Sequence, residues 1–192
     1  MLERGNRREE LLEQVVDVLL EEGISELSLR PLAKAIGTSA RLLIYHFGSK
    51  EVLLTQALEQ VRERVQDALR DLAVRKNPRS LEEFLLLFWR WALKPANQRY
   101  FRLLYEMDGL ALYERSKFPA NFWSTGVKTW LRILETEFGQ LSVRNGGNSA
   151  ASTYVLATIN GLLHDFLATG DGKRTTNALQ ILIASLRAGR TA

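Results

Sequence analysis

The stretch SLRPLAKAIGTSARLLIYHFGSK, residues 28–50, decides the fold, because its pattern predicts two short helices joined by a tight turn. Ser28 is a suitable N-cap for the first helix. Pro31 falls in the first helical turn, where a missing N–H leaves no hydrogen bond unmade. Gly37 is expected to end that helix, because glycine readily adopts the left-handed conformation found at many helix ends. Apolar residues at helical spacing between these signals predict a core-facing side formed by Leu32, Ala33 and Ile36.

The second helix of this stretch is predicted to be about two turns long. Thr38 or Ser39 caps its start, and Gly48 follows its end. Leu43 and Phe47 are four residues apart, so both are expected to face inward. The remaining side chains that point away from the core are then Arg41, Ile44, Tyr45 and His46.

The residues on either side predict the other helices of an N-terminal domain. Residues 8–22 repeat apolar residues at three- and four-residue spacing, and Gly23 ends the repeat. Ser49 is placed to cap a long helix over residues 50–73, which carries one apolar stripe. The predicted inward-facing residues of the first helix are Leu12, Val15 or Val16, Leu19 and Leu20. We therefore expect a three-helix domain in residues 1–50, followed by a connecting helix.

The basic residues of this domain are segregated from its acids. The whole chain has a net charge of +4, but residues 1–50 hold seven Lys and Arg against eight Asp and Glu. Residues 27–50 contain no acid, and their basic side chains are Arg30, Lys34, Arg41 and Lys50. A second basic cluster near the start consists of Arg4, Arg7 and Arg8. Such a local excess of cationic groups favours contact with the phosphates of a nucleic acid.

Residues 8–60 resemble the N-terminal helix-turn-helix of the TetR family of bacterial transcriptional regulators. The matching residues are Gly23, Ser28, Leu32, Ala33, Gly37, Thr38, Ser39, the run at 43–47, Lys50 and Leu53. Two positions depart from the family pattern: Ile44 stands where a tyrosine is frequent, and Arg41 stands where a glycine is frequent. The resemblance implies a helix-turn-helix DNA-binding domain followed by a helical bundle for ligand binding and dimerisation.

Arg41 is the predicted base-reading residue, because an arginine in the first turn of such a helix can donate to O6 and N7 of guanine in the major groove. A phosphate contact or a solvated surface arginine is the alternative. The resemblance assigns backbone contacts to Tyr45, His46 and Lys50, although His46 is also placed to bind the last carbonyls of its own helix. The predicted DNA-contacting residues are Arg30, Thr38, Ser39, Ala40, Arg41, Tyr45, His46 and Lys50. Arg30 and Lys34 are either phosphate contacts or part of a solvated face.

A polar run, VRKNPRS at residues 74–80, interrupts the helical pattern and marks a domain boundary. Residues 74–192 are therefore predicted to form a second domain. Helix signals follow at Ser80, Pro95 and Pro119. No stretch of five or more residues alternates convincingly with a period of two, so the predicted fold is all-α.

Two final helices are predicted at about residues 149–169 and 175–188. The first is apolar on more than one side, and such a helix has to be covered on all of them. Two helices from each of two subunits would form an isologous four-helix bundle, and the resemblance implies a homodimer of this kind. The alternative is that both helices close only the core of their own subunit.

Aromatic residues are dense between positions 84 and 130, a stretch that contains all four tryptophans of the chain. Most are expected to be core residues, but a bundle of many large rings can leave a ligand-sized cavity. The resemblance places a small-molecule inducer here, and we expect an apolar or aromatic compound. The predicted lining residues are Phe88, Trp89, Tyr105, Phe122, Trp123, Trp130, Asn160 and His164. Glu106 and Asp108 are further polar candidates.

An enzyme is the competing class of function, because His164 and Asp165 form a pair of the kind that metal-dependent phosphohydrolases use. Such sites need several more ligands, and the only other histidine is His46. No Gly-rich phosphate loop or nucleophile elbow is present, and the lack of cysteine excludes thiolate chemistry. We therefore expect neither catalysis nor a cofactor. Without a signal peptide or a run of about 18 apolar residues, a cytoplasmic protein with no membrane partner is expected.

The sequence as a whole thus predicts a homodimeric, ligand-responsive transcriptional regulator. We expect a repressor that binds a palindromic double-stranded DNA operator, with two-fold symmetry setting the spacing of the half-sites. Inducer binding in the second domain is expected to shift the connecting helix at 50–73 and so to change the distance between the two reading helices.

Overall fold

The computed structural model describes residues 2–24, 28–113, 128, 131 and 149–191. Within these ranges every regular element is a helix, which confirms the all-α prediction. The helices are α1 (Leu2–Glu22), α2 (Leu29–Ala35), α3 (Ala40–Phe47), α4 (Lys50–Lys76), α5 (Leu81–Ala92), α6 (Pro95–Tyr113), α7 (Ser149–Thr169) and α8 (Gly172–Thr191). None of these helices combines the length and apolarity needed to cross a membrane. The helix predicted to start at Pro119 lies outside the described residues.

The chain divides into two compact units. The first comprises Met1–Leu69 and Arg99–Phe122, and the second comprises Arg70–Gln98 and Trp123–Ala192. The division predicted from sequence set residues 1–50 and a connecting helix apart from residues 74–192. The compact units differ from it because most of α6 packs with the N-terminal helices.

The core of the first unit is built from the apolar stripes of α1 and α4 and from the inner faces of α2 and α3. Helix α1 starts six residues before the predicted position 8. Leu11 is fully buried whereas the predicted Leu12 is half-buried, because the stripe of α1 runs through residues 11, 15 and 19 at a spacing of four. The buried side chains of these four helices include Leu11, Val15, Val16, Leu19, Leu20, Leu32, Ala33, Leu43, Phe47, Leu53, Leu54, Ala57, Leu58, Val61, Val65 and Leu69, and α6 adds Phe101, Leu103, Leu104 and Met107.

Gly37 ends α2 as its sequence position predicts. Its φ of +66° is left-handed, and its N–H donates to the carbonyl of Lys34 at 3.2 Å. The N–H of Thr38 donates to the carbonyl of Ala33 at 2.8 Å. This pair of bonds is the Schellman motif, and it satisfies carbonyls that the end of α2 would otherwise leave open. Ile36, predicted as a core residue, lies at the C-cap and is half-buried.

Gly23 ends α1, and the chain there is tied to α6. Its φ is +76°, and the following residue, Ile24, donates its N–H to Oε1 of Glu106 at 3.0 Å. A Cβ atom on Gly23 would come within 2.7 Å of Oε2 of the same carboxylate. Because Ile24 is buried, the Glu106 carboxylate is the acceptor for an N–H that water reaches poorly.

The second unit contains α5, α7 and α8. Ser80 caps α5 by accepting from the N–H of Glu83 at 3.3 Å, and the indole N–H of Trp89 donates to Oγ1 of Thr176 at 2.8 Å. Helix α8 starts at Gly172 rather than at the predicted 175, because Asp171 caps it by accepting from the N–H of Arg174 at 3.0 Å. The buried side chains of the last two helices include Val155, Ile159, Leu163, Leu179, Leu182 and Ile183.

Replacing Gly23 by alanine should destabilise the protein more than the same change at Gly37. Both glycines have positive φ, so each substitution costs about 1 to 2 kcal/mol of backbone strain. At Gly37 no atom lies within 4 Å of the new Cβ, whereas at Gly23 the Glu106 carboxylate must move and leave the N–H of Ile24 unpaired. That loss adds about 1 kcal/mol or more. Denaturant unfolding followed by circular dichroism measures both variants.

The extra cost at Gly23 should disappear when Glu106 is already alanine, because the displaced contact is then absent. Equal losses for Gly23→Ala and Gly37→Ala in the wild-type background would show that the Glu106 contact contributes nothing to stability.

Candidate nucleic-acid interface

The candidate site is built on α3, an eight-residue helix with a defined start and end. Ser39 is the cap, and its Oγ accepts from the N–H of Leu42 at 3.2 Å. The N–H of Gly48 closes the other end by donating to the carbonyl of Ile44 at 2.8 Å. Leu43 is 0% exposed and Phe47 is 4% exposed, so the inner face of α3 is buried in the core. The predicted length and inward-facing residues of this helix are confirmed.

The outer face of α3 carries large side chains into solvent. Tyr45 is 59% exposed and Ile44 is 39% exposed. Arg41 is also exposed, and it lies one helical turn before Tyr45 on the same side. The Tyr45 and His46 rings meet edge to face with their centroids 5.2 Å apart. This face therefore offers a guanidinium, a phenol and an imidazole side by side.

The other predicted contact residues surround α3 in the first unit. Arg30 is exposed on α2, Thr38 and Ala40 are half-buried at the turn and the start of α3, and Lys50 is half-buried at the start of α4. The full set lies on α2, α3, the turn between them and the first residue of α4.

Two acidic side chains of α1 pair with side chains of α4. Arg64 on α4 pairs with both Glu13 and Asp17, and Gln60 donates to Glu13. Burial is the largest single influence and lowers the pKa of Arg64, but the hydrogen bonds and charges of Asp17 and Glu13 outweigh it and raise that pKa overall. The acids of the first helix thus support the packing of α1 on α4.

Sequence reasoning missed the role of Arg8. In the sequence it belongs to a basic cluster with Arg4 and Arg7, but its guanidinium packs against the end of α3, where it donates to the carbonyl of His46 at 3.3 Å. These two residues are 38 positions apart, and no periodic pattern links them.

The predicted ligand-pocket residues are distributed over both units. Phe88 and Trp89 are buried in α5, whereas Asn160 and His164 lie on the exposed side of α7. Tyr105 belongs to α6 in the first unit. Phe122, Trp123 and Trp130 lie outside the described residues. The pocket stays a prediction.

A partly buried polar cluster joins α6 to α4. Burial lowers the pKa of Arg62, and the nearby carboxylate of Asp108 opposes that shift. Burial also raises the pKa of Asp108, with Arg62 acting in the opposite direction. The pKa of Tyr105 is raised well above its ordinary value by burial and by the negative charge of Asp108. The structure thus gives Asp108 a cationic neighbour on α4 and keeps Tyr105 neutral.

The His164–Asp165 pair has a structural explanation. The Asp165 carboxylate accepts from Arg174 Nη1 at 2.6 Å and from Nη2 at 2.7 Å, and this pairing lowers the pKa of Asp165. The contact joins the end of α7 to the start of α8. In the described part of the chain, no three His, Asp or Glu side chains gather in a group that could hold a metal ion.

Comparison with known proteins places these features in one family. Residues 11–57, which contain α2, α3 and most of α1, match the family model for bacterial regulatory proteins of the tetR family. The HTH-type transcriptional regulator PksA of Bacillus subtilis (strain 168) is 35% identical over 74 residues, or 38% of this chain and 36% of PksA. Residues 11–57 are therefore a TetR-family N-terminal domain. The alignment with this relative therefore spans about a third of the relative's length.

Solved structures share the fold of this chain over nearly its whole length. A transcriptional regulator from Rhodococcus sp. Rha1 superposes with a TM-score of 0.76 at 20% identity, covering 95% of this chain and 96% of its own. The multidrug binding protein EbrR, solved in complex with imidazole, superposes with a TM-score of 0.71 at 19% identity, covering 93% and 89%. At these identities the likeness establishes the fold. Transcriptional regulators rather than enzymes dominate these matches.

The capping bond of Ser39 should make α3 sensitive to its replacement by alanine. We expect Ser39→Ala to cost about 1 kcal/mol of unfolding free energy, because the N–H of Leu42 loses its side-chain acceptor and keeps only the Ser39 carbonyl, at 3.0 Å. Ser28 is a matched control, since it occupies the same N-cap position before α2 but accepts no side-chain bond there. Ser28→Ala should change stability by clearly less. Chemical denaturation of both variants tests this, and a larger loss for Ser28→Ala would contradict the assigned cap.

Proposed function

We propose that this TetR-family protein is a ligand-responsive DNA-binding regulator, and specifically a repressor that binds a palindromic operator as a homodimer. The observation that carries the proposal is the division of α3 into two faces. Leu43 and Phe47 anchor one face in the core, and Arg41 and Tyr45 extend from the other into solvent. A short helix presented in this way fits the major groove of B-DNA, which is about 12 Å wide.

Each side chain of the outer face has a chemical role in this proposal. The guanidinium of Arg41 donates to O6 and N7 of a guanine and so reads sequence. Tyr45, His46 and Lys50 donate to phosphate oxygens and set the register of the helix on the duplex. Ser39 and Thr38 lie at the positive end of the α3 dipole, where a phosphate is favoured. Because its target is chromosomal DNA, we place the protein in the cytoplasm.

The homodimer is proposed to form through α7 and α8. Ile181 on α8 is 73% exposed and Tyr154 on α7 is 55% exposed, so these helices retain apolar surface that a second copy can bury. Further apolar side chains on α7 that are only half-buried are Leu156, Leu162, Phe166 and Leu167. An isologous interface relates the two reading helices by a two-fold axis, and the operator then has two half-sites about one helical turn apart.

The effector is proposed to be an apolar or aromatic small molecule. The aromatic content of α5 supports this class, as does the description of the structural neighbour EbrR as a multidrug binding protein. The effector would bind among helices of the C-terminal half and shift α4, which begins three residues after α3 ends. A compound can cause this release only if it binds the two positions of α4 with different affinity.

The roles of Arg41 and Lys50 separate in a DNA-binding experiment. Arg41→Ala should weaken discrimination at one base pair by about 1 to 3 kcal/mol, whereas Lys50→Ala should weaken binding to all sequences and lower the salt slope by about one. Arg75→Ala is the matched control, because Arg75 is exposed at the other end of α4 and bonds to Asp71 of its own helix. The measurement is titration of an operator and of single-base variants at several salt concentrations.

The control should behave as wild type in this titration. If Arg41→Ala and Lys50→Ala also behave as wild type, α3 is not the reading helix.

The proposed dimer interface is tested by placing a charge on it. Ile181→Glu should raise the dimer dissociation constant by about a hundredfold, because the interface would bury an unpaired carboxylate. Val74→Glu is the matched control, since Val74 is 80% exposed on α4 outside the proposed interface. Light scattering after gel filtration reports the mass of each variant. A dimer that survives Ile181→Glu, or that dissociates with Val74→Glu, would rule out this interface.

A further inference from the structure

Arg8 joins three helices of the first unit through one guanidinium. It projects from α1, and its Nε donates to the carbonyl oxygen of His46 at 3.3 Å. Its Nη2 donates to Oε1 of Gln56 on α4. Its Cζ lies 5.0 Å from the centroid of the Phe47 ring, within the range of a cation–π contact. Arg8 is half-buried, so all three contacts are partly shielded from water.

Two of these contacts fall on the last turn of α3. The carbonyl of His46 is one of the final carbonyls of that helix, which have no partner within the helix itself. A cation at this end also interacts favourably with the helix dipole. The same guanidinium covers the ring of Phe47, the side chain that anchors this end of α3 in the core. Arg8 therefore contacts both the backbone of the last turn of α3, at the His46 carbonyl, and the buried side chain of that turn, Phe47.

External support matters for a helix as short as α3. Eight residues are too few to be stable as a helix on their own in water, so the position of α3 depends on its neighbours. Leu43 and Phe47 supply apolar contacts, which are not directional. The bonds from Arg8 are directional, and they relate α3 to α1 and α4 at once. Tyr45 and His46 lie in the same turn of α3 that Arg8 contacts.

The neighbouring arginine makes a different kind of contact. Arg7 is exposed, and it pairs with Glu10 three residues along the same helix at 3.1 Å. A pair of this kind contributes little to the relation between helices. Among the contacts described, Arg8 bonds to α3 and α4, whereas Arg7 bonds only within α1. Because the two arginines are adjacent and carry the same charge, replacing each in turn tests the effect of the contacts between helices.

We propose that Arg8 is a positioning residue for the reading helix: it holds the C-terminal turn of α3 against α1 and α4 and thereby sets the orientation of Tyr45 and His46. The inference rests on the proposed function of α3. Arg8 acts through α3 and makes no contact with a base. A lysine cannot replace it, because an ammonium group lacks the planar fork that bonds to His46 and Gln56 while stacking on Phe47.

The test compares Arg8→Ala, Arg8→Lys and the matched control Arg7→Ala in the full-length protein. Affinity for a selected operator and for random-sequence duplex is measured at several salt concentrations, at temperatures where melting curves show each variant folded. Arg8→Ala and Arg8→Lys should lower the ratio of selective to non-selective affinity by about tenfold or more, since a bond to a charged group is lost. The salt slope on random DNA should not change. Arg7→Ala should leave the ratio unchanged.

Three results would overturn the proposal. If Arg8→Ala lowers the salt slope on random DNA by about one, Arg8 binds phosphate directly. If Arg8→Lys keeps the wild-type ratio of selective to non-selective affinity, the positive charge is sufficient and the bonds of the guanidinium to His46 and Gln56 do not position α3. If Arg7→Ala lowers the ratio equally, the effect belongs to the basic cluster as a whole.

A second measurement needs no DNA and separates this inference from the proposed function. Amide hydrogen exchange in the free protein should be faster for residues 44–48 in Arg8→Ala than in Arg7→Ala, with α7 and α8 unchanged. Unchanged exchange at residues 44–48 would show that Arg8 does not hold the end of α3, even if DNA binding is confirmed. Faster exchange in a protein that shows no selective DNA binding would support the role of Arg8 in holding α3 but would contradict the proposed function of that helix.

Discussion

The constraint on which the rest of the structure depends is the burial of Leu43 and Phe47 by an eight-residue helix. These side chains are four residues apart and face the same way, so their burial fixes the rotation of α3 about its own axis. Once that rotation is fixed, Arg41 and Tyr45 can only point outward. The capping bond from Ser39 and the closing bond at Gly48 then set where the helix starts and stops. The exposure of Arg41 and Tyr45 on α3 thus follows from the burial of Leu43 and Phe47.

Polar contacts connect this helix and its neighbours to the rest of the first unit. Arg8 ties the end of α3 to α1 and α4, and Glu106 ties the end of α1 to α6. Asp108 on α6 lies near Arg62 on α4, where burial makes their interaction stronger than it would be in water. Helix α6 is thus bonded to the N-terminal helices rather than merely packed on them. A change in the position of α6 would therefore alter its contacts with the end of α1 and with α4.

Local signals in the sequence were sufficient for most of the N-terminal unit. Gly37 needs a positive φ, Ser39 offers a cap and Phe47 follows Leu43 by one turn, and each of these facts involves residues a few positions apart. The exact rotation of α1 was not predictable in the same way, since Leu11 and Leu12 fit the periodicity about equally and only the packing of the folded unit selects Leu11 for burial. Helix α8 starts earlier than predicted because Asp171, in the linker GDGKR, caps it, and its capping role is not evident from that linker alone.

Contacts between distant residues were beyond sequence reasoning altogether. Arg8 meets His46 and Gln56 across 38 and 48 positions, and Glu106 meets Ile24 across 82. Their positions in the sequence show only a basic residue on the first helix and an acid on the sixth. Charge patterns suggested that Arg8 belonged to a DNA-contacting cluster, whereas tertiary packing gives its guanidinium three partners inside the unit.

The most direct test of the central claim is methylation interference on a DNA fragment selected by the purified protein. Dimethyl sulfate modifies N7 of guanine in the major groove and N3 of adenine in the minor groove. If paired copies of α3 read the major groove, binding should be blocked by guanine N7 methylation at two symmetric positions, about one helical turn of 10 to 10.5 base pairs apart or a multiple of it. Interference confined to adenine N3, or none at any position, would contradict the account.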